Sequence, residues 1–276
     1  MLDYFSTLPN MPLWSVISLF LLILLRFAPV LAMAPFLGAK LAPGIVRMGL
    51  AVFLSIIFLP YVIVNVKEPV TFNHAFILYS AKELLIGLIL GFFVTVPFYI
   101  VQTSGIIVDY LRGASIMQSQ DPSLQTQTSP IGIFYNYTLI VIFFQISGPF
   151  LFFDALLKSY EVVPPAEFIN PLFFSVKNTL WQTSMDIINQ IVAIAIQLSA
   201  PCIVSILMAE MFLGIANRLA PQVQIAFLGM SIKSLLGLAL LWTAWFFILK
   251  QFTKQTHDWL KLMNKIIAYM KYMIPS

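Results

Sequence analysis

"FILYSAKELLIGLILGFFVTVPFYIVQT", residues 76–103, is the stretch on which the fold turns. About 20 predominantly apolar residues cross the hydrocarbon core of a bilayer, and this run exceeds that length. An open backbone in lipid would leave its polar groups unpaired, so such a run spans as a helix. Yet Lys82 and Glu83 stand inside it, although one charge at a helix centre costs about 2.5–3.5 kcal/mol on insertion. Charges in that position have partners or line a wet cavity. Consecutive residues project about 100° apart on a helix, so these two are not an ideal mutual pair. Their partners belong on other helices or other chains. The same run carries "GLILG", residues 87–91, a G-x-x-x-G pattern that permits close approach of a second helix.

Five further apolar runs lie at about 12–37, 45–66, 131–157, 187–216 and 222–249, giving six candidate spans. Arg26, Glu210 and Lys233 fall within them as isolated charges. Glu210 and Arg218 are about 12 Å apart along a helix axis, too far to pair, so their partners also lie elsewhere. Buried structural salt bridges fit this scatter better than an ion relay, which would cluster its carboxylates. Pro29, Pro35, Pro60, Pro97, Pro149 and Pro201 lie in these runs. Each removes a helix hydrogen bond, which predicts kinked or broken helices. The short breaks "GAKLAPG" (38–44) and "NRLAPQ" (217–222) predict helical hairpins. The longer "KSYEVVPPAEFINPLFFSVKN" (158–178) reads as an ordered interfacial excursion. The fold class is therefore an all-α membrane protein of about six hydrophobic, partly kinked helices arranged as hairpins.

The totals agree. The chain is 60% hydrophobic and 9% charged, where a soluble domain carries about 25% charged residues. Cys202 is the sole cysteine, which excludes an internal disulfide or thiolate cluster. His74 and His257 lack ligand-spaced partners, so no metal and no cofactor are expected. There is no phosphate loop, no H-E-x-x-H and no nucleophile–histidine pair, so the sequence does not read as an enzyme. "MLDYFSTLPN" at the start has no basic region, which makes the following run a retained span. The formal charge of +4 resides in the tail, where Lys250, Lys254, Lys261, Lys265 and Lys271 face the single acid Asp258. The remainder is neutral, so no nucleic-acid partner is expected. The tail lysines interleave with Trp259, Leu260, Leu262, Ile266, Ile267 and Met270, the pattern of an amphipathic helix at the membrane surface with lipid as its partner.

Between two spans lies "DYLRGASIMQSQDPSLQTQTSP", residues 109–130, polar but nearly uncharged. On composition it fits an exposed loop. It also fits a channel lining, since neutral hydrogen-bonding groups neither hold apolar segments nor trap charges. Ile116 and Met117 are apolar enough to close a pore, because methionine fills irregular gaps and apolar constrictions exclude water. Asp121–Pro122 favours a turn.

Three blocks carry a resemblance. They are "RFAPVLAMAPFLGAKLAPGIVRMGLAVFLS" (26–55), "KELLIGLILGFF" (82–93) with "GIIVDYLRGASIMQSQDPSLQTQTSPIG" (105–132), and "AEMFLGIANRLAPQVQIAFLGMSIKSLLG" (209–237). In order and spacing they resemble the FliR/SctT family, membrane proteins of the bacterial type III secretion export apparatus. With "SYEVVPP" (159–165) the likeness covers nearly the whole chain. One departure is Leu111, where relatives usually have glutamine before the position of Arg112. "SYEVVPP" and "QTSPIG" look more like the virulence injectisome branch than the flagellar one.

The resemblance implies a non-enzymatic part of a larger helical export-gate assembly in the bacterial inner membrane, lying partly on the periplasmic side. Its partners would be a larger core subunit, a small two-helix subunit, a switch protein and secreted unfolded substrates. Residues 1–185 would correspond to the larger subunit and 186–250 to the small one, with 251–276 a basic tail. It places Arg112, Gly113, Ala114, Ser115, Ile116, Met117, Gln118, Asp121 and Pro122 at the gate. Arg26, Lys82, Glu83, Gly87, Gly91, Glu210, Arg218, Pro221, Gln222 and Lys233 become candidates for contacts with other subunits. The rival reading is a small-molecule or ion transporter, built on broken helices and intramembrane charges. It needs a mid-membrane site between repeats, and the echo of "RFAP" (26–29) in "RLAP" (218–221) is too thin for that.

Overall fold

The structure is a computed structural model and describes residues 12–37, 42–66, 69–113, 129–168, 170, 179–219 and 225–270. Its helices are α1 (Leu13–Met33), α2 (Gly44–Asn65), α3 (His74–Leu111), α4 (Pro130–Gln145), α5 (Gly148–Val162), α6 (Thr179–Leu219) and α7 (Ile225–Tyr269). A short 3-10 turn, Pro35–Leu37, follows α1. Five of these helices are long and apolar enough to cross a membrane, and the bent pair α4–α5 makes up to six. Five of the six apolar runs thus each correspond to a candidate span, and the sixth, 131–157, to the bent pair. Several helices outrun them: α3 continues to Leu111, α6 begins at Thr179 and α7 continues to Tyr269. No proline interrupts these extensions, and helix hydrogen bonding does not stop where hydropathy falls.

Local sequence explains the ends. Asn73 Oδ1 accepts the Phe76 amide at 3.1 Å and caps α3. Ser129 caps α4 by accepting the Gly132 amide at 2.9 Å, with Pro130 in the first turn where its missing N–H does no harm. The expected proline breaks occur at two places. Pro35 opens the 3-10 turn, and Pro149 starts α5 after Ser147 takes a left-handed φ of 59°. Pro29, Pro60, Pro97 and Pro201 lie inside continuous helices instead. At Pro97 the reason is visible. The proline deprives the Phe93 carbonyl of its helical donor, and the Trp259 indole N–H donates to that carbonyl at 2.9 Å.

The chain forms two compact units. In the first, comprising Met1–Val96, Ser147–Met185 and Asp258–Ser276, Leu19, Leu22, Ile23, Arg26, Phe27, Val30 and Leu31 are buried along one face of α1. Their spacing of three and four is that of a single helical face. Phe27 stacks on Phe58 with centroids 5.3 Å apart. Gly87 lies so close to α1 that a Cβ there would stand 2.4 Å from the Arg26 carbonyl oxygen, and one on Gly91 would meet Val30 Cα at 3.2 Å. G-x-x-x-G is thus the seat for α1. Because the obstacle at Gly87 is backbone, Gly87→Val is expected to lower the unfolding temperature of the detergent-purified chain by several degrees. Overpacking costs about 1–3 kcal/mol or more. Gly49→Ala, with nothing within 4 Å, is the control that should not.

Within the second unit, Pro97–Ile146 and Asp186–His257, α3 meets α4 through another glycine pair. A Cβ on Gly105 would stand 2.6 Å from Gly132 Cα. Phe134 stacks on Trp245 at 5.2 Å and Tyr135 meets Phe252 edge-on at 5.2 Å. The basic tail is helical as far as Tyr269, as expected, but the apolar side of this described part is spent on the protein. Met263, Ile266, Ile267 and Met270 are buried within the chain, so they do not rest on lipid.

Candidate functional site: buried ion clusters and the base of the polar loop

Arg26 is fully buried, as is Glu83. Its guanidinium grips both carboxylate oxygens, Nε to Oε2 at 2.5 Å and Nη2 to Oε1 at 2.9 Å. Nη2 also donates to the Val163 carbonyl at 2.8 Å, and Nη1 to Ser159 Oγ at 3.0 Å. The Tyr160 ring lies 4.0 Å from the guanidinium carbon, a cation–π contact. A planar, forked cation suits this site and an ammonium would not replace it. Lys82 is 3% exposed and donates to three carbonyls of the segment after α5: Pro164 at 2.6 Å, Pro165 at 3.0 Å and Glu167 at 2.9 Å. It also lies 3.1 Å from Glu83 Oε1. The two neighbours do therefore touch, contrary to the expectation from their positions on the helix, because Lys82 is flexible enough to bend back while its three donors serve the carbonyls.

This cluster holds the first part of the excursion after α5, residues 163–167, while 169 and 171–178 lie outside the described residues. "VPPAE" has prolines that lack N–H groups, and its carbonyls fold over one buried ammonium. Arg26, Lys82, Glu83, Gly87 and Gly91, considered above as contacts with other subunits, make their described contacts inside the chain.

A second polar cluster closes the base of the polar loop. Asp109 is 4% exposed. Its Oδ1 accepts from Arg112 Nε at 2.7 Å, while Oδ2 accepts from Ser129 Oγ at 2.5 Å and from the Ile131 amide at 2.8 Å. One carboxylate thus holds residue 112 before the loop and residues 129 and 131 after it, and it serves the N-terminus of α4, where negative charge is favoured. Arg112 also borders Gly237 of α7, where a Cβ would lie 3.6 Å from its Cβ and Cδ. Gly113 has a φ of +85°, which glycine adopts without strain. Ala114, Ser115, Ile116, Met117, Gln118, Asp121 and Pro122 lie outside the described residues, as do Pro221 and Gln222.

Asp109→Ala should free the two ends of the loop. The Ile131 and Gly132 amides are then expected to exchange hydrogen at least several-fold faster, read by mass spectrometry, while Asp109→Asn retains part of the protection.

The third cluster joins α6 to α7. Lys233 Nζ lies 2.5 Å from Glu210 Oε1, with side chains 23% and 43% exposed. Arg218 is exposed in the last turn of α6. Asp109, Ser159, Tyr160, Val163 and Trp259 were not singled out by the sequence. Asp109 had one visible signal, an acid at the end of an apolar run ahead of a Ser–Pro helix start. Trp259 had none, since nothing in sequence links an indole to a proline so far away.

Long apolar helices, with Arg26, Lys82, Glu83 and Asp109 buried against partners inside the chain, define a multi-pass, all-α membrane protein. Residues 17–259 match the family described as bacterial export proteins, family 1. The chain is 35% identical to Yop proteins translocation protein T of Yersinia pestis, covering 80% of this chain and 83% of that one. It is 28% identical to secretion system apparatus protein SsaT of Salmonella typhimurium, over 87% of each. Against flagellar biosynthetic protein FliR of Bacillus subtilis it is 27% identical, over 78% of this chain and 81% of that one. The chain belongs to the bacterial export proteins of family 1, the FliR/SctT family.

Proposed function

We propose that the protein is a structural and gating component of the type III export gate, through which unfolded proteins cross the bacterial inner membrane. The observation that carries this reading is the family match across residues 17–259. The virulence branch is favoured over the flagellar one, since the translocation protein named above is 35% identical and the flagellar relative 27%. A gate component needs no chemistry of bond breaking, and the buried charges support that role by fastening helices together. The chain spans the inner membrane several times, with the assembled gate partly on the periplasmic side. Its partners are the larger core subunit, the small two-helix subunit and the switch protein, with lipid around them and unfolded substrates passing through.

Residues 112–118 with Asp121 and Pro122 form the gate. The clamp at Asp109 supports this reading, because one carboxylate ties residues 112, 129 and 131, on either side of the polar segment. Glu210, Lys233, Arg218, Pro221 and Gln222 form a contact with neighbouring subunits. An ion pair that stays partly exposed among apolar residues is better accommodated against protein than in lipid.

The assignment is tested by co-expressing the export-gate subunits and weighing the purified complex by native mass spectrometry. The expected mass includes this chain, and Arg218→Glu should reduce its recovery. Companion subunits that assemble and export normally without it would overturn the reading.

A further inference from the structure

We propose that the Asp109–Arg112 pair makes the base of the gate indifferent to the charge of the chain passing it, so that acidic and basic unfolded segments are accepted alike. The inference rests on the gate reading of residues 112–118. Between residues 84 and 153 the sequence holds three charges, Asp109, Arg112 and Asp121, and the last lies outside the described residues. The other two cancel each other. Arg112 Nε donates to Asp109 Oδ1 at 2.7 Å and Nη2 lies 2.6 Å from the same oxygen. Their side chains are 11% and 6% exposed.

Holding α3 against α4 does not require the arginine. Asp109 Oδ2 joins the two helices by accepting from Ser129 Oγ and the Ile131 amide. Gly105 and Gly132 bring their backbones together, and Asn136 Nδ2 donates to Gln102 Oε1 at 3.0 Å. None of these contacts involves the guanidinium. The described side-chain hydrogen bond of Arg112 ends on Asp109, three residues back on the same helix, and its Cβ and Cδ border Gly237. A pair at that spacing adds little to the helix that carries both partners. What the guanidinium contributes is its charge. Without it, the carboxylate that ties α3 to α4 would stand uncompensated beside a polar, nearly uncharged segment. Walls of low dielectric focus the field of a single charge into a narrow passage. An unbalanced charge there would hold segments of opposite sign and repel those of like sign, whereas the pair does neither.

The two ions make opposite predictions, which a purely structural role does not. Cells expressing the complete gate secrete two reporters that differ only in an unfolded tract, one rich in glutamate and one rich in lysine. The ratio of the two is compared with that from the intact protein. Asp109→Asn leaves Arg112 unbalanced and should lower secretion of the lysine-rich reporter several-fold relative to the other. Arg112→Gln leaves Asp109 unbalanced and should shift the ratio several-fold the other way. The double replacement should return it towards that of the intact protein, and Arg112→Lys should keep it. Arg112→Gln retains the Ser129 and Ile131 bonds, so this arm reads charge even where Asp109→Asn impairs assembly, which native mass spectrometry of the complex reports. Single variants that slow both reporters equally, or a double variant that does not restore the ratio, would overturn the proposal. A photo-cross-linking amino acid at Gln118 reports on the gate reading separately. Cross-linking to a substrate stalled in transit, with an unmoved ratio, would remove this proposal and leave the gate reading standing. Absence of that cross-link would overturn the gate reading and this proposal with it.

Discussion

Arg26→Met is expected to destabilise the folded chain by about 3 kcal/mol. That is the low end of the range of about 3–5 kcal/mol for removing one member of a buried ion pair. The low end applies because Glu83 keeps Lys82 at 3.1 Å when its bidentate partner is lost. The damage goes beyond the pair itself. Ser159 and the Val163 carbonyl also lose a donor, and an unsatisfied buried acceptor costs about 1–3 kcal/mol. Arg26→Lys should fall between, keeping the charge but not the fork. The informative comparison is the double replacement Arg26→Met with Glu83→Met, which removes both charges and should recover a large part of the loss. Thermal unfolding of detergent-purified variants supplies the measurement. A double variant as unstable as the sum of the two singles would mean that the charges act independently and the cluster is not a unit.

Deleting residues 113–120 is expected to make the assembled gate leak ions and small solutes while leaving its subunit composition unchanged. The loop starts and ends at one carboxylate, Asp109, which bonds Arg112, Ser129 and the Ile131 amide. Shortening the loop between those anchors removes the small residues and the apolar pair Ile116 and Met117 that would fill the opening. Conductance of cells expressing the complete gate should rise well above that of cells with the intact protein. Native mass spectrometry shows whether the complex still forms. Normal conductance and normal secretion from a correctly assembled complex would refute the gating role and leave the family assignment standing.

The sequence disclosed these features unevenly. The helices were legible because apolar length reports directly on the bilayer, and five of the six runs correspond to candidate spans, the sixth to a pair of helices bent by 75°. Gly87 and Gly91 were legible as a seat for another helix, although not which helix. The charges were legible as paired, yet their partners were not: Arg26 and Glu83 are separated by 57 positions, and Arg26 and Val163 by 137. Pairing over such distances follows from tertiary packing, which no local pattern encodes. Pro97 predicted a kink from local rules, and a tryptophan from the end of the chain supplied the missing donor. The polar loop could be read as pore lining or as surface from its composition. The clamp at its base depends on the orientation of Asp109, which composition does not contain.

The bond between Trp259 and the Phe93 carbonyl joins residues 166 positions apart, and this bears on how the protein is made. Synthesis runs from the N-terminus, so α3 enters the bilayer long before the ribosome reaches Trp259. Until then the Phe93 carbonyl lacks its indole donor, in a medium with no water to substitute. Maturation of the first unit is therefore held open until the last stretch is translated. A truncated product ending before Trp259 would leave the Phe93 carbonyl without its indole donor.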